Sequence, residues 1–429
     1  PYEVPENWVW VRLGAIAEIV TGGTPSKKHP EYYGGNFPFY KPSDLDQGRL
    51  TYDASEYLSE EGKKVSRIIP KNSTAVCCIG SIGKCGYLMC EGTTNQQINS
   101  AIPKINSLCL YYYLCTENFV QNLLSMASAT TIAIVNKSKM ESCAFPLPPL
   151  SEQQRIVECI EELFAKLDEA KERLQEVAES FAVRKAAILH KAFTGELTKQ
   201  WRLENGVSDE SWEEKKGEDF FEYVTSGSRG WAKYYSDKGS IFVRMGNLNH
   251  GTIELDFSDI QYVELPNQVE GQRSKLQKND ILISITADVG MIGLVREDMD
   301  AYINQHVALA RPKNDLYAEF LAWYFVSDVG LQQMQNKQRG ATKIGLGLQD
   351  IRSIILKIPT LPEQHEIVRL INDLLARERA AKQATEQALA SIDLMKKSIL
   401  ARAFCGELGT NKASEASALE LLRQVLAEN

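Results

Sequence analysis

Pro146-Leu147-Pro148-Pro149-Leu150-Ser151-Glu152-Gln153-Gln154 opens a stretch that continues as a helical pattern and closes with Phe193-Thr194-Gly195-Glu196-Leu197. The arrangement recurs from Pro359 to Leu408, again with Pro-x-Leu-x-Glu-Gln at its start and Phe-x-Gly-Glu-Leu at its end. Equivalent residues differ by 211 in number, as Pro148 and Pro359 do, and no gap is needed. Because the flanking motifs recur in register with the helices, the stretch is an internal repeat rather than two unrelated amphipathic helices.

Apolar residues in the first copy alternate between steps of four and three, which is the spacing of a coiled-coil seam. We assign to this seam Ile156, Ile160, Leu163, Leu167, Leu174, Val177 and Phe181 in the first copy and Ile367, Ile371, Leu374, Ile392 and Ile399 in the second. The seam of the second copy is weaker, because Glu378 and Thr385 stand where the first copy has Leu167 and Leu174. We expect a polar partner at these positions. Ser151 is the predicted N-cap, and Gly195 and Gly406 suit left-handed C-terminal stops.

The order of globular segment, helix, globular segment and helix lets one chain supply both strands of the coil. Helices of about 40 residues rise about 1.5 Å per residue, which gives a spacer of roughly 60 Å. We therefore predict mixed α/β globular domains, called heads below, that alternate with long α-helices. The helices form an intramolecular antiparallel coiled coil, and a pseudo-twofold axis relates the heads. The predicted divisions are head 1 at residues 1–145, a helical spacer at 146–206, head 2 at 207–357, a second spacer at 358–409 and a tail helix at 410–429.

Short motifs of head 1 recur in head 2 at a drifting offset, so the heads are related but divergent. The matched motifs are Val20-Thr21-Gly22-Gly23 with Val224-Thr225-Ser226-Gly227, Lys41 to Gly48 with Arg244 to Gly251, and Asn95-Gln96-Gln97 with Asn304-Gln305-His306. In head 1, Ala75 to Ile79 is a predicted buried strand, and Leu108 to Met126 is apolar at helical spacing.

Composition excludes some classes of protein. A formal net charge of −8 argues against a protein that coats nucleic acid indiscriminately, although local basic grooves remain compatible with it. The nine cysteines form no CxxC pair and have no histidine at zinc spacing, which favours reduced thiols in a cytoplasmic protein. No apolar run is long enough to span a membrane, and the first residues lack a basic-then-apolar pattern, so we expect neither membrane insertion nor export.

Each head concentrates side chains that suit phosphate groups and base edges on its predicted loops. Arg and Lys can bind guanine, Asn and Gln can bind adenine, and glycine lets the backbone approach phosphate. The candidates in head 1 are Thr21, Gly22, Gly23, Thr24, Lys27, Lys28, Tyr40, Lys41, Ser43, Ser81, Lys84, Asn95, Gln96 and Gln97. The candidates in head 2 are Ser226, Ser228, Arg229, Arg244, Asn247, Asn304, Gln305, His306, Lys337, Arg339, Thr342 and Lys343. Any one of them could equally belong to a solvated loop, and Asn95 and Asn304 could simply close turns.

Catalytic motifs are not apparent. Gly80-Ser81-Ile82-Gly83-Lys84 has two residues between its glycines where a phosphate loop needs four, and Cys85 follows the lysine instead of Ser or Thr. Pro148-Pro149 is flanked by leucines, so it lacks the acidic or amide residue and the aromatic residue of amino-methyltransferase motifs. Glu213-Glu214-Lys215 matches only part of a nuclease motif. We therefore expect no catalytic residue and no metal site in this chain.

The paired motifs at Pro146 to Gln154 and Phe193 to Thr198, repeated between divergent heads, resemble the specificity subunit of type I restriction-modification systems. The resemblance spans nearly the whole chain. It implies two target recognition domains, each reading half of a bipartite site in double-stranded DNA, with the helices as spacer. It also implies docking of two methyltransferase subunits that bind S-adenosylmethionine, and of restriction subunits that use ATP and Mg²⁺. No cofactor is expected in this chain itself.

Two other interpretations remain. The first is a coiled-coil scaffold whose heads bind protein or small ligands, which the neutral first head and acidic second head favour. The second is a self-contained methyltransferase or nuclease, against which the missing motifs argue. The repeated Asn-Gln and Thr-Gly loops favour DNA recognition.

Overall fold

The structure is a computed structural model that describes residues 2–128, 133–266, 272–339 and 345–427. The chain divides into two compact units. Unit 1 comprises Pro1–Gln175 and Gln387–Asn429, and unit 2 comprises Glu176–Glu386. Each unit therefore contains one head together with one segment of each long helix.

Head 1 is a mixed α/β domain, as predicted. Its strands are β1 (Val9–Arg12), β2 (Ala17–Thr21), β3 (Tyr33–Tyr40), β4 (Glu56–Leu58), β5 (Thr74–Cys77), β6 (Cys85–Tyr87), β7 (Thr93–Thr94), β8 (Ile98–Pro103) and β9 (Ala144–Leu147). Its helices are α1 (Leu13–Ile16), α2 (Glu60–Lys64), α3 (Ser107–Leu114), α4 (Glu117–Ser125) and α5 (Lys137–Glu141), with 3₁₀ turns at Pro30–Tyr32 and Asp44–Leu50. The predicted helical stretch from Leu108 to Met126 is thus two helices, because the Thr116 hydroxyl caps α4 by accepting from the Phe119 N–H.

The strands of head 1 form an antiparallel sheet ordered β2-β8-β5-β6, a second sheet ordered β4-β3-β7, and the pair β1-β9. The predicted strand near Val76 is confirmed as β5, which is buried along its whole length. The loops that follow β2 and β7 meet at one edge, because β2 lies beside β8 and β7 leads directly into β8.

Head 2 repeats this design. After α7 (Lys199–Asn205) its strands are β10 (Glu213–Lys216), β11 (Phe221–Ser226), β12 (Tyr235–Ser236), β13 (Ser240–Val243), β14 (Tyr262–Val263), β15 (Ile281–Ser284), β16 (Ile292–Leu294), β17 (Ala301–Ile303), β18 (Val307–Pro312) and β19 (Ile355–Ile358). Its helices are α8 (Gly217–Phe220), α9 (Ala318–Val326), α10 (Asp328–Asn336) and α11 (Leu348–Arg352), with 3₁₀ turns at Asp209–Ser211, Trp231–Tyr234, Met245–Asn247 and Gln272–Ser274.

The sheets of head 2 are ordered β11-β18-β15-β16 and β12-β14-β13-β17, with β10 paired to β19. One predicted match is off by one residue. Thr21 pairs with Asn99 and Ser226 pairs with Ala308, so Gly227 is the counterpart of Gly22 and not of Gly23. The cause is a register shift between Phe221 and Tyr223, where a bulge adds one residue to β11.

The repeated stretches form two long helices, α6 (Leu150–Phe193) and α12 (Leu361–Phe404). In unit 1 they run antiparallel, since Asp168 binds Lys396 at 2.5 Å and Lys171 lies 3.7 Å from Asp393. The positive φ angles of Gly195 and Gly406 confirm the predicted left-handed stops. Ser151, however, lies inside the first turn, because α6 begins at Leu150.

The seam residues differ in burial. Ile156, Ile160, Phe181, Ile367, Ile371 and Ile392 are buried, and Leu163, Leu167, Leu174, Leu374 and Ile399 are partly buried. Val177 departs from the heptad prediction and is 40% exposed, whereas Leu375 and Leu400, outside the assigned seam, are buried. The polar position Glu378 in unit 2 binds Arg184 at 2.9 Å, which is the polar partner expected there.

Both ends of the helices are anchored to a head by equivalent contacts. The Gln153 side chain donates to the Pro148 carbonyl at 2.9 Å and accepts the Asn106 N–H at 3.0 Å. Its counterpart Gln364 donates to Pro359 at 2.9 Å and accepts the Tyr317 N–H at 3.0 Å. At the other ends, the ring of Phe404 packs on Tyr113 in unit 1, and that of Phe193 packs on Tyr324 in unit 2.

The tail helix α13 (Ala418–Ala427) packs within unit 1. Ala418 is buried in the core of head 1, and Leu421 and Leu422 pack against the same core. Arg155 holds the segment before α13 through two hydrogen bonds to Glu415 at 2.9 and 2.8 Å. The apolar face of the tail, which could have served a partner, is therefore largely used inside the chain.

Candidate nucleic-acid interface

Two loops of head 1 meet at the end of β2. The Gly22 N–H donates to the Ile98 carbonyl at 2.9 Å, and the Gly23 N–H donates to the Thr94 carbonyl at 2.8 Å. A Cβ on Gly22 would collide with the carbonyl oxygens of Thr94 and Asn95, so the close approach requires glycine. Thr24 at the tip of this loop hydrogen-bonds the Gln96 side chain. We call residues 21–24 and 95–97 the loop pair of head 1.

Head 2 contains the equivalent loop pair, residues 226–229 and 304–306. The Gly227 N–H donates to the Asn304 carbonyl at 3.2 Å, and a Cβ on Gly227 would collide with the Ile303 carbonyl oxygen. Gln305 and His306 hydrogen-bond each other at 2.9 Å. The same backbone arrangement thus presents Thr24 and Gln96 in one head and Arg229, Gln305 and His306 in the other.

An arginine that the sequence analysis missed lies beside each loop pair. Arg67 donates to the Thr21 carbonyl at 2.5 Å, and Arg273 lines a cleft with Ser226 and Gln305. Both arginines come from the segment before the central strand, β5 or β15. The motif matches did not extend to these segments. Each arginine lies shortly before a corresponding strand, β5 or β15, and this similar position is a signal that could have identified both residues.

The cleft in head 2 has a volume of about 680 Å³. Its lining residues are Ser226, Gly227, Ser228, Arg229, Gly230, Trp231, Lys233, Tyr234, Arg273 and Gln305. Three of these side chains are cations and none is a carboxylate. This composition favours an anion such as a phosphate group, with serine and glutamine side chains available as hydrogen-bond partners.

A second group of loops adjoins the loop pair in each head. In head 1 the Cys78 N–H donates to the Gln97 carbonyl at 2.7 Å, and the hairpin that follows exposes Ser81. In head 2 Thr286 hydrogen-bonds His306 at 2.6 Å and pairs with Gly345, which also pairs with Arg339. Arg339 is exposed and binds Asp350 at 3.0 Å, and Lys337 lies on the same loop. Thr342 and Lys343 lie outside the described residues.

Several candidates are structural instead. Tyr40 is fully buried, its hydroxyl donates to the Tyr52 carbonyl at 3.1 Å, and burial raises its pKa. Asn247 is buried and donates to the Asp256 and Asp259 carbonyls at 2.8 and 2.9 Å. Both side chains are held inside their heads by these contacts, which argues against their assignment to a DNA surface.

Asn95 and Asn304 are also buried and close turns within their loops. Each side-chain oxygen accepts the N–H two residues ahead, at 3.1 Å from Gln97 and at 3.0 Å from His306. Both side chains thus close turns, as one of the two interpretations of these asparagines predicts. The two asparagines therefore shape the loops, and their exposed neighbours present the functional groups.

Lys41 and Arg244 form the same internal ion pair in both heads. Lys41 binds Glu56 at 2.9 Å, and Arg244 binds Asp259 at 2.8 Å. Lys84 is similarly held by Asp46 at 2.6 Å. These cations are partly neutralised, whereas Lys27 and Lys28 are exposed and form no ion pair among the described residues. Ser43 is exposed as well.

Other classes of site find no support in the described ranges. The described residues contain no group of three or more His, Cys, Asp or Glu side chains placed to hold a metal ion. Within the same ranges, no helix is both long and apolar enough to cross a membrane. All nine cysteines are free.

A sequence profile described as the type I restriction modification DNA specificity domain matches residues 5–179 and 209–389. The two matches cover most of the chain, and the chain therefore belongs to this family and contains two of its domains. It is accordingly a DNA sequence-recognition subunit, as its resemblance to specificity subunits implied.

Two specificity subunits from Escherichia coli are similar to this chain over nearly all of its residues. The chain is 28% identical to the type I restriction enzyme EcoBI specificity subunit of Escherichia coli, with 99% of this chain and 93% of the relative covered. It is 25% identical to the EcoKI specificity subunit of Escherichia coli strain K12, with 99% and 96% covered. The crystal structure of the HsdS subunit from Thermoanaerobacter tengcongensis superposes with a TM-score of 0.68 at 18% identity, covering 95% of this chain and 99% of that one. That likeness concerns the fold.

Proposed function

We propose that the chain reads a bipartite sequence in double-stranded DNA, with each head recognising one half-site through its loop pair. The recurrence of the loop pair, with an arginine beside it in both heads, supports this proposal above all. One backbone scaffold displays different side chains in the two heads, which suits two half-sites of different sequence.

Separate roles follow for the side chains around the loop pairs. In head 1, Lys27, Lys28 and Arg67 bind phosphate groups. Arg229, Lys233 and Arg273 do the same in the cleft of head 2, where an arginine can also bind guanine. The exposed Gln96 and the partly exposed Gln305 are suited to adenine edges.

We further propose that the helical spacers, residues 146–206 and 358–409, space the heads and dock two methyltransferase subunits. Val183 and Leu394 are equivalent positions of the repeat, one in each unit, and are 70% and 65% exposed. Exposed large apolar side chains at equivalent positions suit two copies of one partner, because identical partners need identical surfaces.

In this proposal the chain itself transfers no methyl group and cleaves no DNA. S-adenosylmethionine belongs to the methyltransferase subunits, and ATP with Mg²⁺ belongs to the restriction subunits. This division of labour rests on the family resemblance and on the specificity-subunit names of the relatives.

Methylome sequencing of a host that expresses this chain with its methyltransferase partner tests the proposal. We expect one bipartite motif for the wild type. The double variant R229A/R273A should relax or abolish recognition of one half-site, and R67A should weaken recognition of the other. Lys238→Ala is the control, because Lys238 is exposed in head 2 and does not line the cleft.

Binding of the assembled complex to a matching duplex gives an independent readout. Each phosphate contact that is lost should lower the slope of log affinity against log salt by about one unit. Methylation without sequence preference would reject the proposal. A simultaneous change in both half-sites after substitution of one head would reject the assignment of one head to one half-site.

A further inference from the structure

Unit 2 contains a cavity of about 350 Å³ between its helix pair and head 2. Its lining residues are Phe181, Ala182, Lys185, Gly251, Thr252, Glu254, Trp323, Asn372, Leu375, Glu378, Arg379 and Lys382. A cavity of this size falls within the range of small-molecule sites, which combine an apolar surface with a few polar groups. None of these residues belongs to the loop pairs.

The apolar part of the lining comes from Phe181, Trp323 and Leu375, all of which are buried in the fold. The indole N–H of Trp323 has no hydrogen-bond partner among the described residues. A buried donor without a partner costs free energy, which an acceptor on a ligand would recover.

The charged part of the lining carries excess positive charge. Its two carboxylates are already paired, Glu254 with Arg296 at 2.6 Å and Glu378 with Arg184 at 2.9 Å. Lys185 donates to the Gly251 carbonyl, and Arg379 forms no ion pair within the described ranges. Among the described residues, the ion-pair partner of Lys382 is Glu386, at a distance of 4.0 Å.

Lys185, Arg379 and Lys382 line the same cavity. Burial lowers the pKa of Lys185, and the nearby charges of Arg379 and Lys382 lower it further. An anion bound among the three side chains would remove this mutual repulsion. The lining therefore contains cations that an anionic ligand would stabilise.

In unit 1 the equivalent positions hold an ion pair and an aromatic ring. Lys396, the counterpart of Lys185, binds Asp168 at 2.5 Å and lies 5.0 Å from the ring centre of Phe164. In unit 2 the residues equivalent to Asp168 and Phe164 are Arg379 and Leu375. The Asp168 carboxylate of unit 1 is thus replaced in unit 2 by a cation, and the ring of Phe164 is replaced by a smaller side chain.

We propose that the cavity of unit 2 binds a small organic anion. Its phosphate or carboxylate group lies among Lys185, Arg379 and Lys382, and its apolar body lies against Phe181, Trp323 and Leu375. The ligand supplies in unit 2 what Asp168 and Phe164 supply in unit 1. This site is separate from the loop pairs and does not depend on the proposed reading of DNA.

Isothermal titration of the full-length chain with adenosine monophosphate, adenosine and inorganic phosphate tests the proposal. We expect the monophosphate to bind more tightly than adenosine, which lacks the charged group, and more tightly than inorganic phosphate, which lacks the apolar body. Loss of a charge-assisted contact corresponds to at least about a tenfold weaker affinity, so adenosine should bind at least that much more weakly.

Two substitutions copy unit 1 into unit 2. Arg379→Asp should pair with Lys185, and Leu375→Phe should fill the cavity, so each should weaken binding of the monophosphate by at least about tenfold. Arg377→Asp makes the same charge change on an exposed position of the same helix outside the cavity, and should leave the affinity within about twofold. Melting temperatures report whether each variant is folded.

The proposal would be overturned by no binding of the monophosphate or by equal binding of inorganic phosphate, which would indicate an adventitious ion only. Binding unchanged by both cavity substitutions, or equal weakening by Arg377→Asp, would also overturn it. Displacement of the monophosphate by a short DNA duplex at equimolar concentration would instead assign the cations to DNA and also overturn the small-ligand proposal.

Discussion

The glutamates at the starts of the two long helices, Glu152 in unit 1 and Glu363 in unit 2, are equivalent and fully buried. Glu152 accepts hydrogen bonds from neutral donors, the Trp8 indole at 2.7 Å and the Asn411 amide at 2.8 Å. Glu363 accepts instead from the Thr198 hydroxyl and the Arg202 guanidinium, both at 2.7 Å. Glu152 is thus bound by neutral groups, whereas Glu363 is bound by one neutral and one charged group.

The partners reveal what the repeat conserves. In each unit the glutamate at the start of one helix binds the segment that follows the other helix, Asn411 in unit 1 and Thr198 to Arg202 in unit 2. In unit 2 the indole N–H of Trp212 and the second oxygen of Glu363 lack partners among the described residues. The repeat therefore determines that a buried glutamate accepts hydrogen bonds at the start of each long helix. The residues that donate to it differ between the two units.

Removal of the charged donor should have the largest effect. Arg202→Ala leaves the Glu363 carboxylate buried without its cation, and we expect a loss of about 3–5 kcal/mol in the free energy of unfolding. Denaturant unfolding measures this loss. The double variant R202A/E363Q should recover part of it, because the uncompensated charge is gone.

Arg173→Ala is the matched control, because it also removes an arginine from an ion pair with a glutamate. Arg173 pairs with Glu169 on the exposed surface of α6. Its loss should stay below about 0.5 kcal/mol. If R202A costs no more than this control, charge compensation does not distinguish unit 2 from unit 1.

The tryptophans sharpen the comparison. Trp8→Phe removes a donor to a buried carboxylate and should cost about 1.5–3 kcal/mol in unfolding free energy. Trp212→Phe removes an N–H that has no described partner, so its cost should be smaller by at least about 1 kcal/mol. Equal losses for the two variants would show that Trp212 also binds Glu363 in solution.

The glycines at the loop pairs test what the heads share. Gly22→Ala and Gly227→Ala each force a Cβ against a carbonyl oxygen, and each should cost about 1–3 kcal/mol in unfolding free energy and disturb recognition of one half-site. Gly246→Ala is the control, because Gly246 lies outside both loop pairs and a Cβ there has open space. Melting temperatures and methylome sequencing provide the two readouts, and a tolerated Gly22→Ala would contradict the close approach.

The smallest effect concerns the tail. Hydrogen bonds from Arg155, and next from Ser151, hold the pKa of Glu415 below its ordinary value of 4.5. A carboxylate with a depressed folded-state pKa stabilises at and above its ordinary pKa, and this contribution is lost as the pH falls through the folded-state value.

Hydrogen exchange of α13 should therefore be slower in the wild type than in Glu415→Gln at neutral pH, and the difference should vanish in acid. A pH-independent difference would exclude the ion pair as its cause. In unit 2, the segment that follows α6 is held instead by the ion pair of Arg202 with Glu363.

Much of the fold could be predicted from the sequence because heptad spacing and the repeated flanking motifs are local patterns. The predicted coiled coil, strand β5 and the stops at Gly195 and Gly406 needed no knowledge of distant contacts. The match of Gly23 with Gly227 failed because a bulge in β11 adds a residue that sequence spacing alone does not place. The predictions of Ser151 as the N-cap and of Val177 as a seam residue failed for a similar reason, because the start of a helix and the burial of its side chains depend on tertiary packing.

The candidate site was less predictable than the fold. Asn and Gln motifs located both loop pairs, but residue type could not distinguish the buried Tyr40 and Asn247 from the exposed Gln96. Arg67 and Arg273 were missed because they reach the loop pairs from segments distant in sequence.

By itself, the sequence determined that two related heads alternate with two copies of one helix, because periodicity and repetition are properties of the chain alone. Only the tertiary structure decided which partner each repeated residue received. Glu152 and Glu363, like Lys396 and Lys185, are identical in type yet differ in their neighbours. Charge compensation and burial depend on atoms that the fold brings together from distant positions, and that is why the sequence could not specify them.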